Sequence, residues 1–315
     1  MVKCRALNKL RAGGSTNGAE GIKLAYAKAR EGFVDGGINR VLLATDGDFN
    51  VGLSSFDDLK SMVERERNSG VSLTTLGFGS GNYNEHLMEQ LANVGNGNYA
   101  YIDTAKEANK VLVQEMAGTL ATIAKDVKIQ VEFNPRMVAE YRLIGYENRS
   151  LRREDFNNDR VDAGEIGAGH TVTALYEIAL AGEAGRRLDP LRYAQPVVSE
   201  ESSNGAAEMA FLRMRYKQPG ASKSTLIERP IEQPTGAEQK ATPPSKRMRF
   251  AAAVAGFGQL LRGGRYLEHF DYSDVLRLAA GSRGQDSHGY RAEFMQLVKV
   301  ADSLAGGRID SVARR

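Results

Sequence analysis

The segment Arg40-Val-Leu-Leu-Ala-Thr-Asp-Gly-Asp48 decides the fold, because a short apolar run ends directly before two carboxylates. An almost wholly apolar run of this length is typical of a strand that is buried on both faces of a parallel sheet. Upstream, Gly13-Gly-Ser-Thr-Asn17 puts a hydroxyl on a glycine-rich turn where a helix begins. Because ligands bind open parallel sheets at the carboxyl ends of the strands, we expect Thr16 and Asp46 to lie at that edge.

Helical and strand patterns alternate between residues 12 and 124. The predicted strands cover residues 40–45, 71–76 and 99–102, and the predicted helices cover residues 17–35, 54–70, 85–94 and 104–125. Gly95 is expected to end the third of these helices in the left-handed conformation. Strands separated by helices form parallel crossovers, so the pattern predicts an α/β fold with part of a doubly wound parallel sheet.

The pattern changes at Asp126, after which apolar and polar residues alternate with a period of two. This alternation covers residues 127–133, 171–180 and 209–216 without an intervening helical segment, which predicts an antiparallel, sandwich-like region. Residues 219–244 hold five of the eight prolines, and we expect them to form a linker or a long loop.

Three further helices are predicted at the carboxyl end of the chain. They cover residues 250–262, 273–280 and 290–305. The predicted domains are therefore a partial α/β domain over residues 1–125, a β-rich region over residues 126–248 and a helical region over residues 249–315.

Composition excludes several classes of protein. The chain has 315 residues, of which 42% are hydrophobic and 26% charged, so it can bury a core. Its net charge is only +3, with the basic residues scattered, which argues against nucleic acid as a partner. No apolar run approaches the roughly 20 residues of a membrane-spanning helix. The single cysteine, Cys4, excludes an internal disulfide and a cysteine-based zinc site.

Several of these motifs resemble a known family. Gly13-Gly-Ser-Thr16 and Ala44-Thr-Asp-Gly47 resemble the second and third loops of the metal-ion-dependent adhesion site of von Willebrand factor type A domains. The resemblance continues through three further stretches that are typical of bacterial YfbK-type proteins, namely Leu76-Gly-Phe-Gly79 with residues 95–102, Asp162–His170 and Phe250–Phe257. Those proteins join such a domain to a carboxy-terminal domain of unknown function. The resemblance thus covers nearly the whole chain.

This resemblance implies a function and a set of ligands. Thr16 would bind Mg²⁺ or Mn²⁺ through its hydroxyl, and Asp46 would bind it directly or through water. A Glu or Asp of a partner protein would complete the coordination. The resemblance therefore implies a protein-interaction or adhesion module that is not an enzyme. It also implies a place in the bacterial cell envelope, often with export and a lipid anchor, although this chain shows no such signal itself.

One departure from the family pattern limits these expectations. The first loop of the family site, Asp-x-Ser-x-Ser, is absent, and the only Asp-x-Ser is Asp271-Tyr-Ser273 in the wrong region. We therefore expect the first three strands of the domain to be missing, together with any upstream export segment, and the metal site to be incomplete and weak. In the family order the strand 40–45 pairs with a missing strand, so its open edge is expected to favour self-association.

Two other chemistries fit parts of the sequence. A haloacid-dehalogenase-like phosphotransferase would use Asp46 as the nucleophile and Asp48 as the acid or base, but Phe49 and Asn50 depart from that pattern. It remains the alternative function. Residues 46–50 and 155–159 also mimic calcium loops, yet Val51 and Arg160 stand where glycine is required. We expect both segments to be solvated turns.

Overall fold

The computed structural model describes residues 18–45, 56–79, 83–146, 150–182, 187–189, 208–233 and 243–312. Two compact units divide the chain. The first comprises Met1–Ile129, Arg153–His170 and Met214–Ile227, and the second comprises Gln130–Arg152, Thr171–Arg213 and Glu228–Arg315. The first unit thus takes in two segments from beyond the expected boundary at residue 125. That boundary, as a division between domains, stays a prediction.

The amino-terminal elements alternate between helix and strand. They are α1 (Gly18–Glu31), β1 (Arg40–Thr45), α2 (Phe56–Asn68), β2 (Ser72–Gly77), α3 (Glu85–Val94), β3 (Tyr99–Tyr101), α4 (Ala105–Asn109) and α5 (Met116–Leu120). The three strands form a parallel sheet in the order β1-β2-β3, with Arg40 opposite Ser72 and Thr75 opposite Tyr99. The mixed α/β architecture is therefore confirmed, and the described part of the sheet is parallel.

The core of the first unit lies between this sheet and the helices. In α1, Ile22 and Tyr26 stand four residues apart on one face, and both are fully buried. They pack with Val63 of α2 and with Leu73 of β2 in one apolar cluster. Burial of each such side chain stabilises the fold by roughly 1.5–3 kcal/mol, so helical periodicity correctly indicated which faces turn inward.

Two of the expected helix ends are wrong. Gly95 has a φ of −85°, and the left-handed residue is Asn96, one position later. The helix expected over residues 104–125 is broken: α4 passes into a π-helical stretch over Lys110–Gln114, and α5 ends at Leu120. A strand begins at Thr122, because pairing with a distant strand overrides the local helical pattern.

The region after Leu120 is rich in antiparallel strands. They are β4 (Thr122–Phe133), β5 (Val138–Ile144), β6 (Gly164–Gly167), β7 (Leu175–Leu180), β8 (Glu208–Lys217) and β9 (Thr225–Glu232). One sheet has the order β6-β4-β8-β9, and β5 pairs with β7 in a second sheet. In the second unit, Phe133 contacts the rings of Tyr141 and Tyr176 at centroid distances of 4.5 and 5.3 Å.

The proline-rich segment is not simply a linker, which corrects the expectation for residues 219–244. Residues 225–232 form β9, a strand whose residues are all exposed, at the end of the four-stranded order. Pro230 lies within it. Proline cannot donate a ladder hydrogen bond, so an edge strand is the place in a sheet where it is tolerated.

The carboxy-terminal elements are the three expected helices with somewhat different ends. They are α6 (Lys246–Leu261), α7 (Tyr272–Gly281) and α8 (Tyr290–Val312). Ala253, Val275, Ala279 and Val298 are fully buried between them. The side chain of Asp271 accepts hydrogen bonds from the backbone N–H groups of Ser273 and Asp274 and caps α7. The lone Asp-x-Ser of the sequence is thus a helix cap.

Candidate functional site

The three parallel strands end together at one edge of the sheet. Thr45 lies opposite Gly77, and Gly77 lies opposite Tyr101. The N–H of Phe78 donates to the carbonyl of Thr45 at 3.0 Å, which holds the first two strand ends in register. Asp46 is the next residue in the sequence after Thr45. The strand ends that we expect to support a ligand therefore lie together at the carboxyl edge of the sheet.

The metal ligands inferred from the resemblance, Thr16 and Asp46, lie outside the described residues, as does Asp48. Their assignment as ligands or catalytic groups stays a prediction. Within the described ranges, no group of three or more His, Cys, Asp or Glu side chains is placed to hold a metal ion. In that part of the chain, no helix is long and apolar enough to cross a membrane.

A tyrosine cluster at this edge was missed by the sequence analysis. The hydroxyl of Tyr83 donates to that of Tyr99 at 2.8 Å, and the rings of Tyr83 and Tyr101 lie 5.1 Å apart. The hydroxyl of Tyr101 donates to the carbonyl of Gly79. Burial, followed by the hydrogen bond to Tyr99, raises the pKa of Tyr83, so its phenol stays neutral. The cluster fixes the ends of β2 and β3 and leaves one face of Tyr101 exposed.

Gly77 makes this arrangement possible. A β-carbon on Gly77 would lie 2.0 Å from the hydroxyl oxygen of Tyr83, so only glycine lets the tyrosine cover the end of β2. The run Gly77-x-Gly79 was the available signal. It is a weak match to a nucleotide-binding motif, and the structure shows instead that Gly77 provides space for a side chain.

A second polar cluster surrounds the segment 153–162 in the first unit. Lys128 of β4 is only 3% exposed, and its ammonium donates to the carbonyls of Asp155 and Asn158 at 3.2 and 2.5 Å. Lys217 of β8 donates to the carbonyl of Asp159 at 2.7 Å and to the carboxylate of Asp126 at 2.6 Å. Burial lowers the pKa of Lys128 despite its acidic neighbours.

Residues 155–159 include a turn in which Asn157 and Asn158 are exposed, as expected of a solvated turn, but its backbone carbonyls also bind two lysines. In a calcium loop the first, third and fifth positions would present side-chain oxygens to the ion, whereas here two lysine ammonium groups bind backbone carbonyls of the turn. Hydrogen bonds from the side chain of Ser224 and from its backbone N–H, the latter at 3.2 Å, lower the pKa of Asp159. The ammonium groups of Lys128 and Lys217 therefore hold this turn against the sheet, which gives the turn a structural role.

Comparison with known proteins identifies relatives for both parts of the chain. The family profile described as "Uncharacterized protein YfbK, C-terminal" matches residues 118–304, and that of the von Willebrand factor type A domain matches residues 4–115. The chain is 51% identical over 299 residues to "Uncharacterized protein YfbK" of Escherichia coli (strain K12), which covers 95% of this chain and 51% of that protein. It thus spans about half the length of this relative.

Similar solved structures are more distant. A von Willebrand factor type A protein from Catenulispora acidiphila aligns with 91% of this chain and 65% of its own, at 15% identity and a TM-score of 0.42. The human COPII-coat protein Sec24c aligns with 84% of this chain and 36% of its own, at 11% identity and a TM-score of 0.40. At these scores neither similarity informs the function.

Proposed function

Because the chain belongs to the family defined by the YfbK carboxy-terminal domain and contains a von Willebrand factor type A domain, we propose that it is a non-enzymatic protein-interaction module. Its binding edge is the carboxyl edge of the parallel sheet. The observation behind this proposal is the common end of β1, β2 and β3, with Thr45 hydrogen-bonded across to Phe78 directly before Asp46. Open parallel sheets bind ligands at such edges.

Thr16 and Asp46 are the ligands that we propose for a divalent cation. A hydroxyl and a carboxylate are hard oxygen donors of the kind that Mg²⁺ and Mn²⁺ take. Two such donors make a weak site, however, because Mg²⁺ gives up its bound water molecules reluctantly. We therefore expect the chain by itself to bind Mg²⁺ or Mn²⁺ with a Kd on the order of millimolar or weaker.

The proposed partner is a protein that presents a Glu or Asp carboxylate to this edge. When bound, the cation would supply positive charge for that carboxylate, and the tyrosine cluster at the ends of β2 and β3 would offer aromatic contact area. Tyrosine suits this purpose because it loses little conformational entropy on binding. A place in the bacterial cell envelope is part of the same proposal and follows from the family resemblance.

Titration calorimetry of the full chain with MnCl2 tests the cation site. We expect weak heats that Asp46→Ala abolishes and that Asp48→Ala, a matched change two residues along, leaves in place. Micromolar binding in the parent chain that Asp46→Ala abolishes would contradict the proposal that the metal site is incomplete. Equal effects of the two variants would contradict the ligand assignment.

A phosphatase assay tests the statement that the chain is not an enzyme. We expect no turnover of p-nitrophenyl phosphate or acetyl phosphate above the rate of the Asp46→Asn variant. Turnover that Asp46→Asn removes, together with inhibition by beryllofluoride, would support the haloacid-dehalogenase-like alternative and contradict the proposal.

A further inference from the structure

The motif Asp162–His170 has no part in the proposed binding edge, yet it places a carboxyl group in an unusual position. Glu165 lies on β6, and both of its carboxylate oxygens are buried without a hydrogen-bond partner in the described part of the chain. A buried polar group normally has a partner, because leaving it without one costs roughly 1–3 kcal/mol, and more if it is charged. The buried carboxyl group of Glu165 is an exception that needs a physical explanation.

The group that faces Glu165 from the parallel sheet is Arg40, the first residue of β1. Its guanidinium donates from Nη1 to the hydroxyl of Thr74 at 2.7 Å, while its Nε is buried without an acceptor. Burial lowers the pKa of Arg40, and the nearby Glu165 acts in the opposite direction. The carboxyl of Glu165 and the guanidinium of Arg40 thus interact electrostatically without a hydrogen bond between them.

Other charged groups surround the same position. Lys125 and Asp126 face Glu165 from β4, and Asp162 faces it from the turn before β6. The carboxylate of Asp162 is paired with Arg67 of α2 at 2.7 Å, so this acid already has a cation. Helix α5, which also contacts β6, has no titratable side chain. Arg40 and Lys125 are therefore the cations that act on Glu165.

The two ends of β6 are held in different ways. A β-carbon on Gly167 would lie 1.6 Å from the carbonyl of Gly118, and the N–H of Ala168 donates to Ala121 at 2.8 Å. The pairing of β6 with β4 shifts register twice along the strand, and the N–H of Ala163 donates to the carboxylate of Asp126 at 3.3 Å. The amino-terminal end of the segment Asp162–Gly167 thus depends on carboxylate contacts and on an irregular strand pairing.

We propose that Glu165 is a proton-controlled switch, which holds the segment Asp162–Gly167 against the parallel sheet while its carboxyl is protonated and releases that segment when it ionises. A neutral carboxyl is tolerated at a site without donors, whereas a carboxylate there must move to water or to a cation. Burial raises the pKa of Glu165 to about 7, which places the change near neutral pH. The switch joins the two family domains, since Arg40 and Glu165 fall in different profile matches.

Hydrogen exchange of the full chain, followed by mass spectrometry between pH 6 and pH 8 and corrected for the intrinsic rate, tests this switch. With a pKa of about 7 when docked and 4.5 when released, the opening constant of the segment should rise roughly tenfold over this range. In Glu165→Gln it should stay constant. In the matched control Glu154→Gln, an exposed acid upstream of this segment, it should rise as in the parent chain.

A second variant keeps the proposal testable if Glu165→Gln does not fold. Arg40→Met removes one of the two cations that favour the ionised form, so the midpoint of the pH dependence should move upward. The hydrogen-exchange protection of the segment should fall with pH in the parent chain. If it is constant or rises with pH, the proposal is overturned, since the carboxylate would then be retained near Arg40. A dependence that persists in Glu165→Gln, or an unmoved midpoint in Arg40→Met, would also overturn it.

Discussion

Gly97 approaches the backbone of β2 so closely that a β-carbon at Gly97 would lie 1.8 Å from the carbonyl oxygen of Leu73. The same turn is tied to its neighbours by hydrogen bonds from Gly97 N–H to Ala92 at 2.9 Å and from Leu73 N–H to Gly95 at 2.8 Å. Backbone atoms cannot move away without breaking these bonds. Glycine is therefore required where α3 passes into β3.

We predict that Gly97→Ala destabilises the first unit by about 3 kcal/mol or more, because the added methyl overlaps a fixed carbonyl. The matched control is Gly21→Ala in α1, where a β-carbon meets nothing within 4 Å. That change should stabilise the protein by about 0.5–1 kcal/mol, since alanine favours helix. Urea unfolding of both variants measures the difference, and similar stabilities would contradict the close approach.

The ion pair between Arg67 and Asp162 yields a second prediction. Arg67 also donates to the carbonyl of Val94 at 3.1 Å and lies 3.6 Å from the carboxylate of Glu64, so a single substitution of Arg67 removes three contacts. Burial raises the pKa of Asp162, and Arg67 opposes that shift. Because Asp162 is 42% exposed at its side chain, solvent screens the pair, and we expect a coupling energy of about 0.5–1 kcal/mol. A double-mutant cycle of Arg67→Met with Asp162→Asn measures it, and zero coupling would contradict the contact.

A third prediction concerns self-association at the edge of the parallel sheet. In the described residues β1 pairs with β2 alone, and Val34, Ile38 and Leu42 are 59%, 61% and 50% exposed. An apolar edge strand is a template for pairing with another chain. We expect concentration-dependent association that Leu42→Lys reduces severalfold, as measured by sedimentation velocity. Leu297→Lys, at an exposed leucine of α8, should have no such effect, and a parent chain that stays monomeric would rule out the idea.

The fourth prediction is the pH dependence of global stability. The pKa of Glu165 is about 7 in the folded chain and near 4.5 when unfolded, so the folded state binds more protons between these values. Its contribution to stability is therefore complete below about pH 4.5 and is lost as the pH rises to about 7. After discounting for partial exposure, Glu165→Gln should stabilise the protein by about 1–2 kcal/mol at pH 8 and hardly at pH 5. Denaturant titrations at both pH values measure this, and an equal gain at both would count against it.

Local patterns were sufficient for most elements of the fold. The apolar run of Arg40–Thr45 and the helical spacing of Ile22 and Tyr26 correctly indicated a parallel sheet with helices packed on it. The expected burial of β1 on both faces is wrong in the described part of the chain, since Leu42 is 50% exposed. The resemblance of the motifs to von Willebrand factor type A and YfbK-type proteins is confirmed by the family matches. Both conclusions rest on residues close together in sequence.

Only the tertiary structure decided the features that depend on distant residues. Helix gives way to strand at Thr122 because β4 pairs with β6, and the proline-rich segment forms β9 because an edge strand tolerates Pro230. The lysines that fill the turn at residues 155–159 come from β4 and β8, and Glu165 meets Arg40 across 125 positions of sequence. Local sequence patterns do not predict such pairs, because the two residues come from separate segments that meet only when the whole chain folds.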